Sequence, residues 1–172
     1  MIDPRRRSFL RGRIAEAGAS DAPAAQRPPW AVGEKRFTEL CDRCRACVEA
    51  CPQGVLTIGD GGFPQVDFSR RGCDFCGACE RCCPPRALAR AAAGRQAAWP
   101  GWQARIAPQC LALNKVECRI CAEACEPVAI HFRPVPGGIS QMQIDPAACT
   151  ACGQCVSVCP VGAIAIAQLE NS

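Results

Sequence analysis

Cysteine spacing constrains this chain more than any other feature. Cys41, Cys44, Cys47 and Cys51-Pro52 follow the pattern C-x2-C-x2-C-x3-C-P. Cys73, Cys76, Cys79 and Cys83-Pro84 repeat it, and Cys149, Cys152, Cys155 and Cys159-Pro160 repeat it again. Cysteines separated by two residues wrap a tight loop around three corners of a cube. The fourth falls one helical turn later and points elsewhere. Proline has no N–H and resists continuing a helix, so it ends that turn.

Two other uses of so many thiols fit poorly. A secreted disulfide framework is opposed by the odd count of 17 cysteines, by the tight runs and by the lack of a cleavable apolar signal segment. Structural zinc sites pair one C-x2-C with another a dozen or more residues away, and these runs are denser. The pattern is that of bacterial [4Fe–4S] ligation.

A fourth run is altered. Cys118, Cys121 and Cys125 keep the x2 and x3 spacing, but Glu126-Pro127 follows and Lys115 stands where the first cysteine belongs. Cys110 can take the vacant place through a longer loop, giving C-x7-C-x2-C-x3-C-E-P. Four clusters are expected on this reading; three is the minimum if the altered run is vestigial or holds a three-iron site. Cys82 is left over beside Cys83. It is either a small buried apolar residue or a spare thiol able to substitute as ligand.

Large core-forming side chains are scarce: 6 Phe, 3 Trp, 2 Met and no Tyr. Ligation must supply much of the folding free energy, so the iron-free chain is expected to be poorly folded. The formal charge of +4 counts every thiol as neutral. Four oxidised clusters with their thiolates would shift it by about −8, so the basic balance is no nucleic-acid signal.

The chain reads as a duplication. Each half has a cysteine run, an apolar–turn–apolar segment and a second run. The segments are Val55–Ile58 with Phe63–Phe68, and Ala129–Arg133 with Ile139–Ile144 around Pro136-Gly137-Gly138. Ala163–Ile166 could close the second half as a strand. The expected fold is α+β: tandem two-cluster bacterial ferredoxin-like units with short hairpins, one-turn helices and cluster-centred cores. The expected boundaries are a basic, largely flexible arm at 1–36, units at 37–84 and 110–172, and a linker at 85–109. A helix is possible over Arg86–Ala98, and Trp99 and Trp102 serve either packing or docking.

In the two-cluster plan the fourth cysteine of one run ligates the cluster of the other. Crossed ligation then joins Cys41, Cys44 and Cys47 to Cys83, and Cys73, Cys76 and Cys79 to Cys51. In the second unit it joins Cys110, Cys118 and Cys121 to Cys159, and Cys149, Cys152 and Cys155 to Cys125. An uncrossed arrangement stays open at this point.

Arg5, Arg6, Arg7, Arg11 and Arg13 crowd the front of the chain. Arg6-Arg7-Ser8-Phe9-Leu10 looks like a twin-arginine signal, but charge interrupts the apolar stretch that export requires. No export, no membrane span and a cytoplasmic location are expected. The arm is either a disordered tail or a recognition segment. His131 reads as a surface strand residue. No phosphate loop, nucleotide fingerprint or catalytic constellation is visible, so neither an enzyme nor a small-molecule substrate site is expected.

The chain resembles the NapF-type ferredoxins, almost end to end. The resemblance is carried by Arg6-Arg7-Ser8-Phe9-Leu10-Arg11-Gly12, Arg27-Pro28-Pro29-Trp30 and the runs at Cys41, Cys73 and Cys149. Its most specific part is Cys110-Leu111-Ala112-Leu113, Val116-Glu117-Cys118-Arg119, Cys121, Cys125-Glu126-Pro127 and Phe132-Arg133-Pro134. It implies a cytoplasmic accessory protein that contacts the precursor of the periplasmic nitrate reductase catalytic subunit before export. Maturation would be assisted by electron supply or cluster insertion. A general electron carrier and a redox sensor are the other readings.

Overall fold

The computed structural model describes residues 25–90, 94–95, 98–135 and 139–169. The arginine-rich arm and the Pro136-Gly137-Gly138 turn lie outside the described residues.

The cysteine runs leave room for only one helical turn each, and four such turns form. They are α2 (Ala46–Glu49), α3 (Ala78–Arg81), α4 (Ile120–Glu123) and α5 (Gln154–Ser157). Each carries one inner cysteine: Cys47, Cys79, Cys121 or Cys155. Helix α2 packs on α3, and α4 on α5. A longer helix, α1 (Glu34–Leu40), runs directly into Cys41 and is anchored by the buried Phe37.

Three antiparallel pairs complete the fold. In the first unit β1 (Leu56–Ile58) pairs with β2 (Pro64–Val66), with Leu56 opposite Val66. In the second, β4 (Ile130–Val135) pairs with β5 (Ile139–Ile144), with Ile130 opposite Ile144. Both coincide with the expected hairpins. The third pair joins β3 (Trp102–Ile106) to β6 (Ile164–Gln168), with Trp102 opposite Gln168. Here the expectation of a plain linker over 85–109 needs correcting. Ala104 is buried while its neighbours Gln103 and Arg105 are more exposed, which is strand periodicity.

The expected helix over Arg86–Ala98 does not form at its described start. Arg86 has φ +52, Ala87 and Leu88 are fully buried, and Leu88 forms a β-bridge with Ala31. Burying both side chains draws this stretch into extended backbone. Residues 91–93 and 96–97 of that segment lie outside the described residues.

The flexible arm expected over 1–36 is also corrected in its described part. Pro28 and Trp30 are core residues, and Trp30 is only 3% exposed. The Trp30 amide donates to the Ala98 carbonyl at 2.9 Å, and the Val66 amide donates to the Gln26 carbonyl at 2.8 Å. Arg27 makes a bidentate pair with Glu34, and its guanidinium lies 5.4 Å from the ring centres of both Phe37 and Phe63. Arg27-Pro28-Pro29-Trp30 therefore belongs to the first unit's wall.

Two cores result. The first is aromatic, built from Trp30, Phe37, Phe68, Phe75 and Trp99 with Val55, Leu56 and Leu88. The second uses Ala104, Ala112, Ile130, Met142, Ala163 and Ile164. Val156 and Ile166 pack against both.

Candidate metal centres

Each cysteine group is shaped by its backbone before any packing acts. In the three regular runs the residues on both sides of the second cysteine are left-handed. These are Arg43 and Arg45 around Cys44, Phe75 and Gly77 around Cys76, and Ala151 and Gly153 around Cys152. Alternating handedness turns successive N–H groups to one side and makes a concavity for an anionic core. Asp42 and Asp74 brace two of these loops by accepting the amides of Cys44 and Cys76.

Four matching turns follow the fourth cysteines. Gly54, Arg86, Val128 and Gly162 are all left-handed. Their amides donate to the carbonyls of Cys51, Cys83, Cys125 and Cys159 at 3.1, 3.2, 2.9 and 3.3 Å.

The altered run solves the same problem differently. Arg119 has φ −129, so the left-handed flank after Cys118 is missing. A 3-10 turn at Ala112–Asn114 occupies the extra length, and Lys115 takes a φ of +66. The Asn114 side chain donates to the carbonyls of Pro108 and Cys110 at 2.8 and 2.9 Å. This knot folds the long loop back so that Cys110 is buried near Cys121.

The cysteines gather around distinct spaces. Cys41, Cys44, Cys47 and Cys83 line one, with Cys82 beside them. Cys51, Cys73, Cys76 and Cys79 line a second. Cys125, Cys149, Cys152 and Cys155 line a third. Cys110, Cys121 and Cys159 share the second core, and Cys118 is close enough to Cys121 to act on its charge. We call the three lined spaces the first to third cages, and this last cysteine group the fourth. In each of the three lined spaces the fourth cysteine comes from the opposite run, so Cys51 lines the second cage and not the first.

The electrostatics are those of crowded thiols. Burial, followed by nearby thiolates, pushes Cys47, Cys79 and Cys155 up to about 12. Burial also takes Cys73 to about 12, opposed by the Phe75 amide. Cys121 reaches about 11 through burial and then Cys110 and Cys118. Such thiols keep their protons until a cation displaces them. Four thiolates need positive charge at the centre of each cage, and an iron–sulfide core supplies it. Four soft sulfur donors converging on one space, in loops whose backbone amides turn to one side, are the donor set that a [4Fe–4S] core takes.

Backbone donors reach some sulfurs directly. The Ala129 and Ala163 amides donate to Cys125 Sγ and Cys159 Sγ, each at 3.2 Å. The Phe75 amide donates to Cys73 Sγ at 3.4 Å. Cys82 Sγ donates to the Cys79 carbonyl at 3.4 Å while its residue lines the first cage and acts on the charge of Cys47. Trp99 is buried and donates to the Arg27 carbonyl at 2.8 Å, which is a packing role. His131 is exposed on β4, as expected.

This fold and these cages define an iron–sulfur protein made of two tandem dicluster units. A family model described as a 4Fe-4S dicluster domain matches residues 40–87 and again 116–163. An Escherichia coli K12 protein named Ferredoxin-type protein NapF is 41% identical over 169 residues, covering 98% of each chain. Its Haemophilus influenzae namesake is 39% identical over 173 residues, covering 97% of this chain and 96% of its own. A Methylobacillus flagellatus protein named Methylamine utilization ferredoxin-type protein MauM is 33% identical, covering 87% of this chain and 71% of its own. The chain belongs to the NapF-type ferredoxins, a family of [4Fe–4S] proteins. Among the described residues no helix is long and apolar enough to cross a membrane.

Proposed function

We propose that the four cages hold four [4Fe–4S] clusters with crossed ligation. Cys41, Cys44, Cys47 and Cys83 hold one, and Cys51, Cys73, Cys76 and Cys79 the next. Cys125, Cys149, Cys152 and Cys155 hold the third, and Cys110, Cys118, Cys121 and Cys159 the fourth. The clusters supply one-electron chemistry. The chain's own residues set where it happens: they hold the cores, exclude water and direct amides at the sulfurs. Cys83, with the x3 spacing and the following proline, takes the fourth place, and Cys82 beside it in the same space is the spare thiol, bonded to the Cys79 carbonyl.

The chain then acts as a cytoplasmic accessory protein to a periplasmic nitrate reductase. It meets the precursor of the catalytic subunit before export and assists its maturation by giving electrons or a cluster. The observation carrying this reading is likeness to NapF-named proteins along 98% of the chain, altered run included. The test is capture of the unexported catalytic subunit from cells by tagged, anaerobically purified protein. Retention of the precursor is expected. Failure to retain it, with unimpaired electron delivery to unrelated acceptors, would replace this reading with that of a general carrier. That second reading is favoured by one feature: Cys44 and Cys76 are exposed, which brings the first and second cages to the surface.

A further inference from the structure

Two dicluster units in one chain need not touch near their cages, yet here they do. The Cys73 amide donates to the Cys152 carbonyl at 2.8 Å. Cys73 lines the second cage and Cys152 the third. From one sulfur to the other, the route runs through the bonds of Cys73, one hydrogen bond and the bonds of Cys152. No third residue lies on it.

Flanking residues enforce this approach. A Cβ on Gly153 would collide with the Phe68 ring. A Cβ on Gly72 would meet the Gln154 backbone nitrogen at 2.6 Å. Backbone conformation alone does not require glycine at position 153. The equivalent place in the first run holds Arg45 with φ +67, against +77 at Gly153. Gly72 is not left-handed at all. What both positions require is room for the other unit. Phe68 is itself held edge-on by Trp99, with ring centres 5.8 Å apart.

Within the units the cages are also neighbours. Cys47 on α2 is near enough to Cys79 on α3 to act on its charge, and Cys121 on α4 stands likewise to Cys155 on α5. The neighbour order is therefore first, second, third, fourth, and the Cys73–Cys152 contact is its middle link.

We infer that the Cys73–Cys152 hydrogen bond is the electron-transfer joint between the two dicluster units, and that Gly72 and Gly153 are positioning residues that keep it closed. The inference rests on the four-cluster reading above. One electron crosses at a time. A reduced [4Fe–4S] centre in one unit is oxidised by one electron, and its oxidised counterpart in the other is reduced by one. No bond breaks and no proton moves.

The test uses the full chain, purified anaerobically and reduced, with electron paramagnetic resonance of the second unit as readout. Cys76→Ser is introduced to remove the second cage's cluster. In the parent chain this change is expected to sharpen the second-unit signal, because a neighbouring spin is lost across the joint. In Gly153→Ala, and separately in Gly72→Ala, the signal is expected to be narrowed already to the width that the third and fourth centres impose on each other, and Cys76→Ser to change it little. Gly153→Ala combined with Phe68→Ala makes room for the methyl group and is expected to restore the broad signal. A parent signal indifferent to Cys76→Ser would overturn the joint, as would a narrowing on Cys76→Ser that is as large in both glycine variants as in the parent. Iron counting separates this from failure of the underlying reading: a parent chain with far fewer than about sixteen irons lacks the four clusters themselves.

Discussion

The first unit's cages lie under an aromatic layer, while the second unit's lie among small aliphatic side chains backed by strands. In the first, Trp30 contacts Phe75 edge-on with ring centres 6.3 Å apart, and Phe75 contacts Trp99 at 5.7 Å. Trp30 and Trp99 come from beyond the cysteine runs and Phe75 from inside the second, and the strands of this unit are three residues long. In the second, no ring is fully buried among the described core residues, but the hairpin strands have six residues each and β3–β6 adds a second ribbon. One cysteine geometry can thus be held by side-chain packing or by backbone pairing. The two supports should fail differently.

The largest expected effect is removal of the clusters. Both units should lose cooperative unfolding, the second more completely, because its core leans more heavily on its own cysteines. The two forms should also respond oppositely to pH. In the clustered protein protons compete with iron for the thiolates, so acid should release iron. In any folded iron-free form, Cys47, Cys73, Cys79 and Cys155 are raised from an ordinary 9.0 to about 12. A raised thiol contributes stability that is complete below pH 9 and is lost as pH climbs toward 12. Iron release at falling pH, and circular dichroism of the stripped chain at rising pH, test the two signs. Sharp, native-like melting of the stripped chain would break the account.

Next in size is Trp30→Ala. Truncating a buried indole costs about 3–5 kcal/mol. The loss should fall on the first unit, read as faster bleaching of its cluster absorbance on heating. Equal loss from both units would erase the contrast between their supports.

A smaller effect concerns potentials. Two sulfurs in each of the third and fourth cages, Cys125 with Cys152 and Cys121 with Cys159, are approached by a backbone N–H, against one in the first cage, Cys44 beside the Ala46 amide. Hydrogen bonds to sulfur favour the more negative, reduced state. At about 1 kcal/mol per bond, the shift for a one-electron couple is on the order of 50 mV. The third and fourth centres should therefore titrate above the first, and a redox titration giving the reverse order would remove this distinction.

The smallest is Val128→Gly. Val128 is β-branched, 62% exposed and left-handed at φ +52, where its counterparts Gly54 and Gly162 need no such compromise. Relief of that strain less the flexibility of glycine should leave a gain of under about 1 kcal/mol, measured as denaturant midpoint.

Much of this was legible in the sequence because it is local. The spacing marked the cysteines that ring each space, and apolar–turn–apolar segments marked β1–β2 and β4–β5. What stayed hidden depends on distant partners. Trp99 finds the Arg27 carbonyl 72 positions away, and Ile106 finds Ile164 across the whole second unit. The alternation from Trp102 to Ile106 did carry a strand signal, but its partner could not be read from it. The left-handed positions were equally silent, since Arg43, Arg45, Phe75 and Ala151 are not residues that announce such a backbone.

The central claim is four clusters, with Cys110 completing the one cage whose run is irregular. Iron and sulfide counting on anaerobically purified protein, beside Cys110→Ala, tests it most directly. The account predicts about sixteen irons in the parent chain and about twelve or thirteen in the variant. About twelve in both would contradict it and reduce the altered run to a vestige.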